Sequence, residues 1–341
     1  MRQHYRVVVI GGGIVGASVL YHLTKLGWTD VALIERSELT AGSTWHAAAG
    51  CHALNDDPNI AALQGYTIRL YKEIEQESGQ SVGLKMTGGI SLAGSPERWE
   101  WLKAEQALFQ TMDMDARLVS PEEIVALCPI VDVRNVFGGL YDEQEGRLDP
   151  HGTTHAYAGA ARKRGADIIL HNRVIGLKPC ADGGWTIETE QGALTAEHVV
   201  NAAGLWARKV GRMAGVNLPV TPMQHHYLVT EDVPEIAGLG REIPAITDLE
   251  GFTYLQQERG GVLLGVYSSC TKRAISPPTT PPTIGATMKS QSCCNATAPP
   301  NTAVELTAWS AAPRRYRPAD GIPAERANRT PATATASARW R

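Results

Sequence analysis

Residues 7–16 read Val-Val-Val-Ile-Gly-Gly-Gly-Ile-Val-Gly, and residues 31–35 read Val-Ala-Leu-Ile-Glu. These two stretches decide the fold. Val7 to Ile10 is a short β-branched run, the pattern of a parallel strand buried on both faces. From Ile14 to Leu26 apolar residues recur at helical spacing, and Gly27 stops them. Val31 to Glu35 is a second strand, so the segment predicts a βαβ unit. Between strand and helix lies G-x-G-x-x-G, with glycine at 11, 13 and 16. Gly11 permits the tight turn, Gly13 lets a pyrophosphate approach the backbone, and Gly16 lets helix and strand pack closely. Ile14 and Val15 open the helix, whose N-terminal amides and partial positive charge attract an anion. Glu35 ends the second strand 19 residues after Gly16, where a carboxylate can accept from ribose hydroxyls; Arg36 follows it. The unit predicts dinucleotide binding without separating FAD from NAD.

Beyond it the expected elements alternate. Helices are expected from about Ile60 to Ser78, Pro96 to Met112, Pro121 to Leu127, Thr153 to Arg164 and Leu205 to Gly215. Strands are expected at Gly88 to Ala93, Asp167 to Leu170, Tyr227 to Thr230 and within Gly251 to Tyr267. A hairpin is expected from Trp185 to Val200, turning at Gln191-Gly192. Glu73, Glu75 and Glu77 read as a solvated helix face, and Asp142, Glu143 and Glu145 as a loop.

The chain has 341 residues, 43% hydrophobic and 20% charged, with a formal net charge of −3. Nothing in that balance points to a nucleic-acid binder. The average hides a break, because residues 271–341 carry ten Lys/Arg against three Asp/Glu and half of the twenty prolines. Such a segment buries too little apolar surface to offset its ordering entropy. The six cysteines form no C-x-x-C pair and read as reduced thiols. No apolar run reaches the length of a membrane span, no signal or transit segment is evident, and no metal-ligand cluster appears; the expectation is a cytoplasmic protein without metal or membrane span.

Residues 40–50 read Thr-Ala-Gly-Ser-Thr-Trp-His-Ala-Ala-Ala-Gly. Small residues around His46 would let a planar group reach the backbone. At this point the chain resembles the dimethylglycine/sarcosine dehydrogenase family, flavoproteins that carry Ser-Thr-Trp-His-Ala-Ala-Gly here. The resemblance implies FAD, bonded covalently through its 8α-methyl to His46, with Gly42, Ser43 and Thr44 beside it. This chain has three alanines, 47–49, where the family has two, which reads as one residue inserted after His46. The resemblance also places Val174, after a strand, at a backbone contact near the adenine side. It sets Ala202 and Gly204, in Asn-Ala-Ala-Gly-Leu-Trp at 201–206, beside the dinucleotide.

Two further segments resemble those lining the family's substrate side: Gln224-His225-His226-Tyr227 and Glu250 to Tyr254. His225 and Tyr254 are the matching positions. A histidine there would keep the amine deprotonated, and a tyrosine hydroxyl would orient the substrate. The implied fold is a Rossmann-type FAD-binding domain interleaved with an antiparallel-sheet substrate domain. The expected division is 1–85 with 145–215 for the first and 86–144 with 216–270 for the second. The implied activity is oxidative demethylation of dimethylglycine or sarcosine, small-molecule substrates, with an unnamed electron acceptor. A non-catalytic flavin-binding regulator is the alternative, which His46 opposes because such relatives generally lack it. The resemblance fades near Cys270. Residues 271–341 therefore read either as a disordered tail or as an out-of-frame end, and the second expectation carries with it weak FAD binding and little activity.

Overall fold

The computed structural model describes residues 2–181, 183–223 and 225–267. The expected tail 271–341, Cys270 and Gln224 lie outside the described residues.

The chain begins with β1 (His4–Ile10), α1 (Ile14–Lys25) and β2 (Val31–Ile34). It then crosses β3 (Gly50–Cys51), α2 (Pro58–Ser78), β4 (Gly89–Ala93), α3 (Pro96–Thr111), β5 (Arg117–Val119), α4 (Pro121–Leu127), β6 (Gly138–Asp142) and β7 (Gly146–Arg147). It returns through α5 (Pro150–Lys163), β8 (Asp167–Ile169), β9 (Val174–Pro179), β10 (Trp185–Thr189), β11 (Gly192–Asn201) and α6 (Ala207–Met213). The last described elements are β12 (His226–Val229), α7 (Pro234–Ala237), β13 (Ala245–Asp248), β14 (Thr253–Glu258) and β15 (Gly261–Val266).

Two large sheets result. One has the order β8-β2-β1-β11-β10-β9. Its first four strands are parallel, and β11-β10-β9 are antiparallel. The unbroken apolar run of β1 is explained by burial on both faces. Val7 and Val9 pack with α1, α2 and α5 through Leu20, Tyr21, Leu70, Ile74 and Ala156. Val8 and Ile10 pack the other way, with Val174, Leu177, Ile187 and Val210. Each such aliphatic side chain contributes about 1.5–3 kcal/mol by burial. The second sheet has the order β12-β15-β14-β13-β4-β6-β5 and is antiparallel except where β13 meets β4. One of its faces packs Ile90, Ile246, Leu255, Val262 and Leu264 against α4 and α7.

Four helices share one starting device. Asp57, Ser95, Ser120 and Asp149 each accept a first-turn N–H on the side chain, and a proline follows each cap. The cap is worth about 1 kcal/mol and proline costs nothing at that position. α2 and α5 therefore begin at Pro58 and Pro150, ahead of the apolar periodicity that starts near Ile60 and Thr153.

Several local expectations need correction. Glu75 and Glu77 do not form a solvated face. Glu77 takes both Arg164, at 3.0 Å, and the Tyr21 hydroxyl, at 3.1 Å, while Glu75 accepts from Val82 N at 2.9 Å. Asp142 is not in a loop; it ends β6, paired with Gly89. Val174 does not follow a strand but begins one, β9, with its side chain 6% exposed in the core. His225 precedes β12 rather than lying on it.

Candidate functional site

The phosphate cradle grows from the first turn after β1. Gly11 has φ 118°, a conformation only glycine takes easily, and a side chain there would run into the Ala202 carbonyl. A side chain at Gly16 would strike the Gly11 carbonyl. Three backbone segments therefore meet with no side chain between them. The first turn of α1 holds no acidic residue, so its amides meet an anion without repulsion. Glu35 closes the far side: its carboxylate accepts from Gly12 N at 2.7 Å and Ser37 N at 2.9 Å. Both oxygens keep further acceptor capacity for hydroxyls. The Arg36 guanidinium stacks 3.7 Å over the Trp206 ring. Backbone bonds from Asn172 N to Glu35 O and His171 N to Ser37 O bring the segment leading to Val174 alongside. On the other flank, Asn201 holds the Ala202–Gly204 turn, donating to Ala207 O at 2.8 Å and accepting from Ala203 N at 3.3 Å. Gly204 takes φ 51° and starts a short 3-10 turn. Glycine cradle, helix amides and oriented carboxylate fit a dinucleotide's diphosphate and ribose.

The His46 loop is fastened to this cradle. Ser43–His46 form one 3-10 turn with no buried residue. The Thr44 hydroxyl accepts from Ile14 N at 3.1 Å, which ties the turn to the start of α1. Gly42 faces the Trp206 ring. Thr40 is 2% exposed with φ 69°, an uncommon backbone for a β-branched residue. Such a conformation costs ~1–3 kcal/mol and persists where neighbours over-determine it. Here Thr40 N donates to Gly12 O and Thr40 O accepts from Trp45 N.

The third alanine of the run, Ala49, sits in a backbone conformation that favours glycine, with φ 61°. Ala49→Gly is accordingly expected to raise stability by about 1 kcal/mol, seen as a higher urea midpoint with unchanged slope. An unchanged or lower midpoint would sink this assignment.

The exit of the loop reaches the second sheet. Gln256 of β14, 6% exposed, donates to the Ala48 carbonyl at 2.7 Å. Two residues earlier, and therefore on the same face, stands Tyr254. Its ring lies over Gly265, its partner in β15, where any side chain would collide with it. Tyr254 packs on Tyr267 at 5.6 Å between centroids, and Tyr267 receives the edge of His225 at 5.2 Å. The two candidate substrate residues are thus brought together through Tyr267, which no sequence motif marks. Burial, with Tyr267 and Tyr227 alongside, holds the Tyr254 phenol above its ordinary value, so its hydroxyl stays a donor.

A carboxyl pair lies on the same face. The Glu145 carboxyl fills the space over Gly89, and Asp142 is 3% exposed with Oδ2 unpartnered among the described residues. Burial pushes Glu145 up to about 7, with Asp142 adding to it, and Asp142 up to about 6. Burial and then Glu145 push the Cys51 thiol up to about 11, so this cysteine is a thiol, not a nucleophile. A raised carboxyl binds its proton more tightly in the folded state, so stability is full below the ordinary carboxyl range and falls as pH rises towards 7. Glu145→Gln is expected to flatten that fall and to add about 1–3 kcal/mol relative to the parent at pH 8. Denaturation at pH 5 and pH 8 measures it; equal losses in parent and variant contradict it.

Comparison with known proteins places these features. A family model described as FAD dependent oxidoreductase matches residues 6–333, past the point near Cys270 where the sequence resemblance fades. Mitochondrial dimethylglycine dehydrogenase of Rattus norvegicus is 43% identical over 271 residues, covering 80% of this chain and 32% of that protein. Mitochondrial sarcosine dehydrogenase of Homo sapiens is 35% identical over 269 residues, covering 77% of this chain and 29% of that protein. The chain thus spans about a third of the length of these relatives. The crystal structure of L-proline dehydrogenase from P. horikoshii superposes with a TM-score of 0.70 at 27% identity, covering 78% of this chain and 70% of that one. With residues 6–333 of its 341 matched by this family model, the chain belongs to the FAD-dependent oxidoreductase family.

Proposed function

We propose that this chain binds FAD covalently through His46 and oxidises N-methylated glycine, dimethylglycine or sarcosine, to the demethylated amine and formaldehyde. One observation carries the reading: the Gln256 bond to Ala48 joins the loop of His46 to the strand that bears Tyr254. Cofactor attachment and substrate residues thereby share one scaffold. The chemistry FAD supplies when bound is acceptance of a hydride from the N-methyl carbon. The resulting iminium takes up water and releases formaldehyde. The chain's part is positioning and proton handling. His225 accepts the proton that the substrate ammonium must lose before oxidation. The Tyr254 hydroxyl, kept protonated, donates to the substrate carboxylate. The α1 amides and Glu35 hold the diphosphate and ribose. The identity of 43% to a dimethylglycine dehydrogenase supports this substrate class.

The test is optical. Purified full-length chain should absorb near roughly 370 and 450 nm as a flavoprotein, and anaerobic sarcosine or dimethylglycine should bleach the longer band. A flavin spectrum that neither amine bleaches would leave a flavin-binding protein of another role.

A further inference from the structure

We propose that His151 is a positioning residue for cofactor attachment, holding the 3-10 turn of His46 in the register that the bond to FAD requires. The proposal rests on the reading of His46 as the attachment residue. Burial does not set this turn, because none of Ser43–His46 is buried. Its orientation must come from specific contacts. One is the Thr44 hydroxyl on Ile14 N, at the entry side of the turn. Two more converge on His151, the second residue of α5, whose own N–H is fixed by the Asp149 side chain at 2.9 Å. The Trp45 indole meets the His151 ring edge-on, 5.3 Å between centroids at 87°. His151 Nδ1 lies 3.1 Å from the Thr40 hydroxyl. Thr40 is the residue held at φ 69°, and its carbonyl takes the Trp45 N–H at 3.1 Å. The imidazole therefore grips both ends of a closed circuit: Thr40 side chain, Thr40 backbone, Trp45 backbone, Trp45 ring. His46 is the next residue along. His155, one turn further on α5, packs its ring against that of His151, tilted by 44° with 4.3 Å between centroids.

Attachment exchanges one C–H bond of the flavin 8α-methyl for a C–N bond to imidazole. One proton leaves the methyl carbon and one the imidazole N–H; the two electrons pass through the flavin to dioxygen, which takes up two protons and becomes hydrogen peroxide. The step demands an imidazole nitrogen close to one carbon atom, so it is far more sensitive to a small rotation of the turn than is reversible FAD binding, which rests on the cradle and Glu35.

The test separates these two quantities in the full-length chain. FAD is added to apoprotein. Reversible affinity is read from flavin fluorescence, and covalent incorporation from flavin fluorescence that survives acid and a denaturing gel. His151→Leu and Thr40→Val are expected to slow incorporation roughly 10- to 100-fold with reversible affinity unchanged. Thr40→Ser, which keeps the hydroxyl, is expected to incorporate at close to the parental rate. Parental rates in His151→Leu and Thr40→Val overturn the proposal alone. So does a Thr40→Ser variant as slow as Thr40→Val, or a loss of reversible affinity in step with incorporation. A parent chain that acquires no covalent flavin overturns the attachment reading and this inference with it.

Discussion

His46→Ala should yield a chain whose flavin is released completely by acid, whereas the parent keeps its colour in the precipitate and fluoresces in a denaturing gel. The effect is all-or-none because the loop holds no second imidazole or thiol: the neighbours of His46 from Gly42 to Gly50 are Gly, Ser, Thr, Trp and Ala, and a hydroxyl without a base beside it is a weak nucleophile. The nearby thiol, Cys51, is held protonated by burial and Glu145, so it does not substitute. Reversible FAD binding should survive in the variant, since Gly11, Gly16 and Glu35 are untouched and the Thr44 bond to Ile14 N does not involve the imidazole. Fully extractable flavin in the parent would refute attachment while leaving FAD binding intact.

The first lobe was legible because its signals are local. A β-branched run, three glycines and a terminal acid dictate a βαβ turn within about thirty residues, and the structure shows β1, α1 and β2 there. The second sheet was harder. β5, β6 and β13 are short, and β6 opens with Gly138-Gly139, which reads as a turn by composition. Those glycines are there for packing: Gly139 faces Ile90, and Gly138 lies under the Trp99 ring. The starts of α2 and α5 show a different limit. Hydrophobic spacing marks the buried face, while the Asp-Pro pairs that fix the first turn sit one half-turn ahead of it.

The site divides the same way. Gly11, Gly13, Gly16 and Glu35 follow from spacing, and His46 follows from resemblance. Thr40, His151, Gln256 and Tyr267 carry no motif, because each acts across a long sequence separation: 111 residues between Thr40 and His151, and 208 between Ala48 and Gln256. The strain at Ala49 is likewise unmarked in a run of three alanines; it shows only in the backbone angle of φ 61°, where glycine is easier.

His225→Ala should lower the rate of flavin reduction by sarcosine or dimethylglycine roughly 10²-fold, the usual size for a lost acid–base group. That corresponds to about 2.7 kcal/mol in the barrier. Tyr254→Phe should cost less, nearer fivefold to tenfold, since one neutral hydrogen bond is worth about 1 kcal/mol. The geometry makes the comparison fair. His225 is exposed and sits just outside β12, so truncating it leaves no cavity in the core, and Tyr254→Phe keeps the ring over Gly265. Both residues touch Tyr267, so part of any His225 effect could travel through that ring. Tyr267→Leu is the control: it removes the aromatic contact and leaves the imidazole in place. If His225 acts on the substrate proton, its alanine variant should lose most of its deficit as pH rises and the free amine accumulates unaided, while the Tyr267→Leu deficit should stay level. Stopped-flow bleaching near about 450 nm across that pH range reads both. A His225→Ala deficit that is independent of pH, or matched by Tyr267→Leu, would return His225 to the status of a packing residue and leave the proton to be accepted elsewhere.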